Sequence, residues 1–596
     1  FRPNSSILLF GTESESKRRN IGPWLRPNEI RGVRAATRSE ARLESTMPWT
    51  VFRGTVDSDD IQQGKLGDCW FLSALSCLAQ RPDLVKRLVL TQTYNPRGVY
   101  LVRLMKDGLW VNIIVDDYFV CTTSGVLAFT SSKRKQLYVP IIEKAFAKLH
   151  GSFGALEGGT CSEGLQALTG CPVVSLKINS SNTNETNDSG HFAKLDSSRM
   201  LWVRLLSSFE AGYLMAAACH PSQSNLQEAQ KNGLQASHAY SILDVKAFKH
   251  YRLIKLRNPH GINAKTYRGD FGVLSTKWTQ ELRNHFSEFR YGGSDSGIFW
   301  MDVEDFFKYF HVVHICEVPS RGSLNRFETR HSNSLRSIED STGNLSVFQL
   351  EFKERVTNVS CVLHQPREFR CGGVPNVIGM LIVQLIGSDL RAVKFKDGSA
   401  WAPGGSVLLQ CDFDVGKYIL IPIAIGNKAK NKRWVLAVHS TKRVCVTNFK
   451  CPRGLVSRAF VLMSKKRGTR VAHHGEFSLY RYTSSSGAIF VALNESRTIT
   501  SRVKLQANVH NAKMIKSDER NNVVISNGSF ETNDAIGPRK CQVLAVVTPI
   551  KHDIPWRINI KFGMENSLMA FFRTFTSKSD VTSDLYDSFP IGGVVF

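Results

Sequence analysis

Apolar residues follow two regimes along this chain. From Pro48 to about residue 320, long apolar blocks suited to helices mix with short alternating runs. Beyond that point only short apolar runs remain, separated by turns. The block Cys69-Trp-Phe-Leu-Ser-Ala-Leu-Ser-Cys-Leu-Ala79 predicts a buried helix, with Asp68 as its N-cap and Pro82 just past its end. Residues 99–115 read as two strands joined at Lys106-Asp107-Gly108, where the Asp-Gly pair supplies the positive φ of a tight hairpin. Residues 137–150 predict a second helix, and 236–245 and 251–258 two further strands, the latter ended by Pro259. Short apolar runs follow at 377–386, 407–411, 418–425, 435–439, 460–463, 488–493 and 543–547. Such a succession without long helical patterns predicts sandwich-type β domains.

Polar stretches divide these regimes. The Ser-Asn-Thr-rich segment between residues 175 and 198 marks an exposed loop, and 319–344 a linker. The resulting organisation is α+β: an irregular basic lead-in over 1–44, a first lobe over 45–195, a second over 196–320, a linker over 321–345, and two mostly-β domains over 346–445 and 446–596.

Composition narrows the classes. At 596 residues the chain is too long for one core, and about three to four domains are expected. No apolar run reaches the roughly eighteen residues of a membrane span. The opening stretch is Arg-rich and lacks an apolar leader block, and the absence of an initiator Met leaves room for an upstream region. Thirteen cysteines, odd in number and without CxxC pairs, point to a reducing, cytoplasmic setting. The net charge of +26 raises nucleic acid as a partner. Its Lys and Arg are dispersed, however, with short clusters such as Lys133–Lys135, and fit contact with an anionic membrane or an acidic protein rather than a specific nucleic acid.

The chemistry centres on Cys69. A thiol becomes a nucleophile as thiolate, and both a helix N-terminus and a nearby imidazolium favour that form. Two glycines in Gln63-Gly-Lys-Leu-Gly-Asp68 permit close backbone approach, and the Gln63 amide is placed to donate to an oxyanion. His238, in Ser-His238-Ala-Tyr-Ser, is the candidate base. Asn258, ending Arg252-Leu-Ile-Lys-Leu-Arg-Asn258, is the candidate group that fixes the imidazole tautomer and plane from an adjacent strand.

Three blocks carry a resemblance: Gln63-Gly-Lys-Leu-Gly-Asp-Cys69-Trp70-Phe-Leu-Ser-Ala-Leu, Gly233-Leu-Gln-Ala-Ser-His238-Ala-Tyr-Ser-Ile and Leu256-Arg-Asn258-Pro259. In content and order they resemble the cysteine, histidine and asparagine blocks of the calpains. Trp24-Leu-Arg-Pro-Asn-Glu-Ile30, Pro48-Trp-Thr-Val-Phe-Arg53 and Gln80-Arg-Pro-Asp-Leu-Val85 are most similar to the atypical small optic lobes type. The resemblance implies a two-lobed papain-like protease core followed by two β-sandwich-like domains, with Trp70 modulating the nucleophile's surroundings.

It further implies calcium-dependent limited proteolysis of protein substrates. Asp60 and Glu163 match the acidic ligands of the first-lobe calcium site. In the second lobe, near Ser296-Gly-Ile298, the expected acids are missing and only Asp295 stands nearby, so that site is expected to be weak or absent. A second departure is His260, where calpains carry a tryptophan that shields the His–Asn bond from water. It motivates the alternative of a weakened or inactive scaffold acting through its β domains.

Overall fold

The computed structural model describes residues 21–31, 42, 44–178, 198–261, 264–265, 267–286, 297–319, 327–335, 345–366, 377–387, 392–399, 401, 404–425, 432–452, 454–484, 487–517, 522–549, 557–566 and 569–577. The chain divides into two units, one drawn from Phe1–Asn182 and Phe192–Ser323, the other from Thr183–His191 and Leu324–Phe596. Most of the Ser-Asn-Thr-rich loop, and Asp295 and Ser296, lie outside the described residues. No helix among the described residues is long and apolar enough to cross a membrane.

The first unit is built around helix α1, Cys69–Ala79, in which every residue after Cys69 is buried. Helix α2, Tyr138–His150, stacks Phe146 on Phe71 at 4.1 Å between ring centroids, and ends where Gly151 takes a φ of 98°. Helix α3, Cys161–Thr169, opens with a capping box between Thr160 and Glu163. It packs on α1 through Gly164, where a Cβ would sit 2.9 Å from that of Ala74. The hairpin Val99–Lys106 with Leu109–Asp116 turns at Asp107 and Gly108, both at positive φ, as the Asp-Gly pair predicts.

Against α1 lies an antiparallel six-stranded sheet made of β1 (Val173–Lys177), β2 (Leu214–Cys219), β3 (His238–Phe248), β4 (Tyr251–Arg257), β5 (Ile298–Asp302) and β6 (Phe310–Cys316). Its order is β5-β4-β3-β2-β6-β1. Leu214, Ala216, Ala239 and Cys316 of this sheet share one apolar core with Phe71 and Leu75 of α1. The sheet and α1 therefore share one continuous core. Burial of this continuous surface stabilises them at roughly 25 cal/mol per Å².

Several expected boundaries move. Strand β1 falls in the stretch expected to belong to the first lobe, before the polar loop, yet pairs with β6 in the second-lobe sheet. The lead-in is not wholly irregular, because Ile21–Leu25 pairs with Phe119–Thr122. Asp68 precedes α1 as expected, but its side chain makes no capping bond.

In the second unit a four-stranded and a five-stranded antiparallel sheet enclose a core including Phe348, Leu350, Ile382, Phe413 and Trp434. The expected linker over 321–345 contains a strand, Phe327–Leu335, that pairs along its whole length with Lys432–Ser440 at the edge of the four-stranded sheet. Its backbone ladder holds it there, and its polar side chains hide it from a hydropathy pattern. Strand Cys445–Lys450 also extends this domain past residue 445 by pairing with Ser346–Phe352. The run 460–463 is helical, within Leu455–Arg467, because Leu455, Ala459, Phe460 and Met463 recur at helical spacing and bury against Trp401 and Ile421. An eight-stranded antiparallel sheet completes the unit.

Gly64 exposes how tightly the approach to α1 is threaded, since a Cβ there would lie 1.8 Å from the Phe129 carbonyl oxygen. Gly64→Ala is expected to lower the apparent Tm of the first unit by roughly 5 °C or more. Calorimetry checks it, and an unchanged Tm contradicts the packing described.

Candidate active site

Cys69 is the first residue of α1 and the only one in the helix that keeps partial exposure. Burial raises its thiol pKa, and backbone N–H groups of Ala239, Trp70 and Cys69 itself draw it back. The sulfur thus faces the residue that follows His238. Behind it Trp70 donates its indole N–H to the Leu156 carbonyl at 2.9 Å. Gly159 lies flat on that indole, with room for no side chain.

His238 begins β3 and Asn258 follows β4, its antiparallel neighbour, so the two side chains meet across the ladder. His238 Nε2 lies 2.9 Å from Asn258 Oδ1, and the backbone N–H of His260 donates to the same oxygen at 3.0 Å. A backbone N–H can only donate, which identifies the shared atom as the amide oxygen. The His238 proton therefore sits on Nε2, and Nδ1 is the basic nitrogen. Asn258 Nδ2 donates in turn to Gln235 Oε1 at 3.4 Å. Gly297, at a φ of +70°, receives the Asn258 N–H on its carbonyl oxygen. A Cβ there would fall 2.7 Å from the Asn258 carbonyl oxygen.

The His260 ring lies parallel to that of His238, at 4.9 Å between centroids and 5° between planes. It covers the imidazole face as a planar lid. Burial pushes the His238 pKa down to about 4; the Asn258 bond offsets part of this and His260 adds to it.

Hydrogen bonds join residues 61–80 to the sheet and the turn that follows β4. Arg257, fully buried beside Asn258, donates to the Ile61 carbonyl and to Ser76 Oγ at 3.2 Å. The Gln63 N–H bonds the Pro259 carbonyl at 2.9 Å. Ser241 Oγ reaches the Ser73 carbonyl at 2.9 Å, and Gln80 Nε2 the Ile242 carbonyl at 3.3 Å. Gln63 Nε2 meanwhile donates to the Leu66 carbonyl at 2.8 Å, which fixes its side chain under the turn.

The expected calcium ligands are committed elsewhere. Both oxygens of Asp60 accept from the Arg134 guanidinium, at 2.7 and 2.9 Å, and Glu163 Oε2 accepts the Thr160 N–H at 3.1 Å. Among the described residues no group of three or more His, Cys, Asp or Glu side chains is arranged to hold a metal ion. Both Asp60 bonds come from the single nitrogen Nη2 of Arg134, so calcium, which takes six to eight oxygens, would have to compete with that guanidinium for Asp60. Arg134 and Arg257 escape sequence reading, as does Gln235. Arg134 belongs to a short basic cluster that reads as solvated surface, and Arg257 is one more charge on a strand.

Over residues 1–317, more than half its length, the chain matches the family described as Calpain family cysteine protease. The protein belongs to that family. It is 33% identical over 323 residues to the calpain-type cysteine protease DEK1 of Arabidopsis thaliana, a match covering 54% of this chain and 14% of that protein. Identity to the calpain-type cysteine protease ADL1 of Oryza sativa subsp. japonica is 35% over 320 residues, 53% of this chain and 14% of that one. Calpain clp-4 of Caenorhabditis elegans is 30% identical over 306 residues, 50% of this chain and 38% of the relative. The matched region is thus a small part of each of these relatives.

The depressed pKa of His238 has a testable sign. Its folded value lies below the unfolded value of about 6.5, so the neutral ring contributes stability present above that pH and lost as pH falls toward 4. Between about pH 7.5 and 4.5, the stability difference between His238→Gln and wild type should move by on the order of 2 kcal/mol in the variant's favour. Denaturant unfolding at the two pH values measures it, and a constant difference contradicts the assignment.

Proposed function

We propose that the protein is a cysteine endopeptidase that cleaves protein substrates through Cys69, His238 and Asn258. The observation that carries this reading is the double donation to Asn258 Oδ1, which leaves His238 Nδ1 as the acceptor beside the residue facing the Cys69 sulfur. In the reaction the thiol proton passes to Nδ1 as sulfur bonds the substrate carbonyl carbon. The oxyanion is held by the Cys69 N–H and the Gln63 amide, whose second hydrogen is the one offered. His238 then returns its proton to the leaving amine as the C–N bond breaks. Water next loses a proton to His238, attacks the thioester and releases the acid, restoring the thiol.

The parallel His260 ring over the His238 imidazole supports a reading in which it shields the His238–Asn258 bond from water. Cys69→Ser is expected to abolish casein cleavage, and equal turnover in that variant would sink the proposal. His260→Trp should keep the lid and exclude more water, raising kcat severalfold. His260→Ala should lower it about tenfold. Equal rates in wild type and both His260 variants would remove His260 from the mechanism.

No step of this cleavage is routed through calcium. Arg134 already supplies positive charge at Asp60, and we propose that calcium acts on this core weakly, by competing with that guanidinium. Epoxide labelling of Cys69 should then proceed at similar rates in calcium and in chelator. Arg134→Gln, which frees Asp60, should make labelling calcium-responsive. A tenfold or greater calcium acceleration in wild type contradicts this.

A further inference from the structure

Asp68 precedes the nucleophile and is fully buried, yet neither of its carboxylate oxygens finds a hydrogen-bond donor among the described residues. Its side chain makes no bond to the α1 N–H groups it was expected to cap. It interacts instead with the carboxyl group of Glu143, on α2, which is 2% exposed. Glu143 Oε2 accepts the Thr130 hydroxyl at 2.7 Å and the Thr130 N–H at 3.4 Å, while Oε1 also lacks a donor. Three buried carboxylate oxygens of this interacting pair thus lack a hydrogen-bond donor. As two anions the pair would carry desolvation and like-charge repulsion together. A proton between the two groups satisfies donor and acceptor at once.

We propose that Asp68 and Glu143 share a bound proton that keeps Asp68 neutral at working pH, and that this pair is a positioning element governing how readily Cys69 ionises. The proton resides on Asp68 and is donated to Glu143, whose other oxygen is held by Thr130. The charges facing Asp68 are those of Glu143 and, further off, Glu157, and both oppose its ionisation. Burial first, and then Glu143, push the Asp68 pKa well up, and burial likewise raises that of Glu143. An ionised Asp68 would in turn hold the Cys69 thiol protonated. Neutral Asp68 leaves the N-terminus of α1 to act on the sulfur unopposed, and the N–H groups of Cys69 and Trp70, which its side chain does not cap, are left to that sulfur.

The inference rests on Cys69 being the nucleophile, and the test separates the two ideas. The pH-rate profile of iodoacetamide alkylation, with Cys69 located by peptide mapping, is to be measured on full-length wild type, Asp68→Asn and Glu143→Gln. The amide introduced by Asp68→Asn mimics a neutral, donating Asp68, so the profile of that variant should overlay that of wild type. Glu143→Gln removes the repelling charge and offers Asp68 a donor, so Asp68 ionises more readily and alkylation at neutral pH should slow, by up to about tenfold, one unit of thiol pKa. A packing role would disturb both variants alike and leave the profile in place. If Asp68→Asn instead accelerates alkylation, Asp68 was already ionised and the proposal is overturned.

Failure of Cys69 to react at all in wild type counts against the nucleophile assignment. The shared proton is then decided by infrared spectroscopy of wild type itself. A protonated-carboxyl C=O band at neutral pH that disappears in Asp68→Asn supports it. Absence of that band overturns it, whether or not either variant folds.

Discussion

One amide oxygen sets the geometry of this core. Asn258 Oδ1 receives the His238 Nε2–H and the His260 N–H together, and this pair of donors fixes which imidazole nitrogen is basic. For the oxygen to stand there, β4 must run antiparallel to β3 in one register, and the chain must turn immediately after Asn258. Gly297 must also pass close enough to accept the Asn258 N–H. The same turn carries Pro259, whose carbonyl holds Gln63, and His260, whose ring covers His238. Orientation of the His238 ring, cover of its face and anchoring of the Gln63 backbone are therefore properties of one short turn.

Burial shapes the electrostatics around it. It moves His238 toward neutrality and Cys69 toward the thiol. Against this stand the α1 N-terminus and the backbone N–H groups turned toward sulfur, which favour the thiolate without adding a counter-charge. Protein dipoles already in place cost no reorganisation at the moment of reaction.

Much of this is legible in the sequence where information is local. The helix from Cys69, the Asp107-Gly108 hairpin and the strands bearing His238 and Asn258 each announce themselves within a dozen residues. What escapes depends on partners far apart in the chain. Arg257 finds Ile61, separated by 196 positions, and Arg134 finds Asp60 across 74. A charged side chain gives no sign in sequence that it will be buried against a carbonyl. The strand Phe327–Leu335 escapes because an edge strand held by backbone pairing needs little apolar character, and Leu455–Arg467 because only its middle reads as an apolar run. The capping expectation for Asp68 fails because its side chain has a buried carboxyl neighbour instead.

Arg257 carries a consequence of its own. It is bonded to the first lobe through Ile61 and Ser76, and it is covalently next to Asn258. A displacement of Ile61 or Ser76 is therefore felt one peptide away, at Asn258, and through its amide oxygen at the plane of the His238 ring.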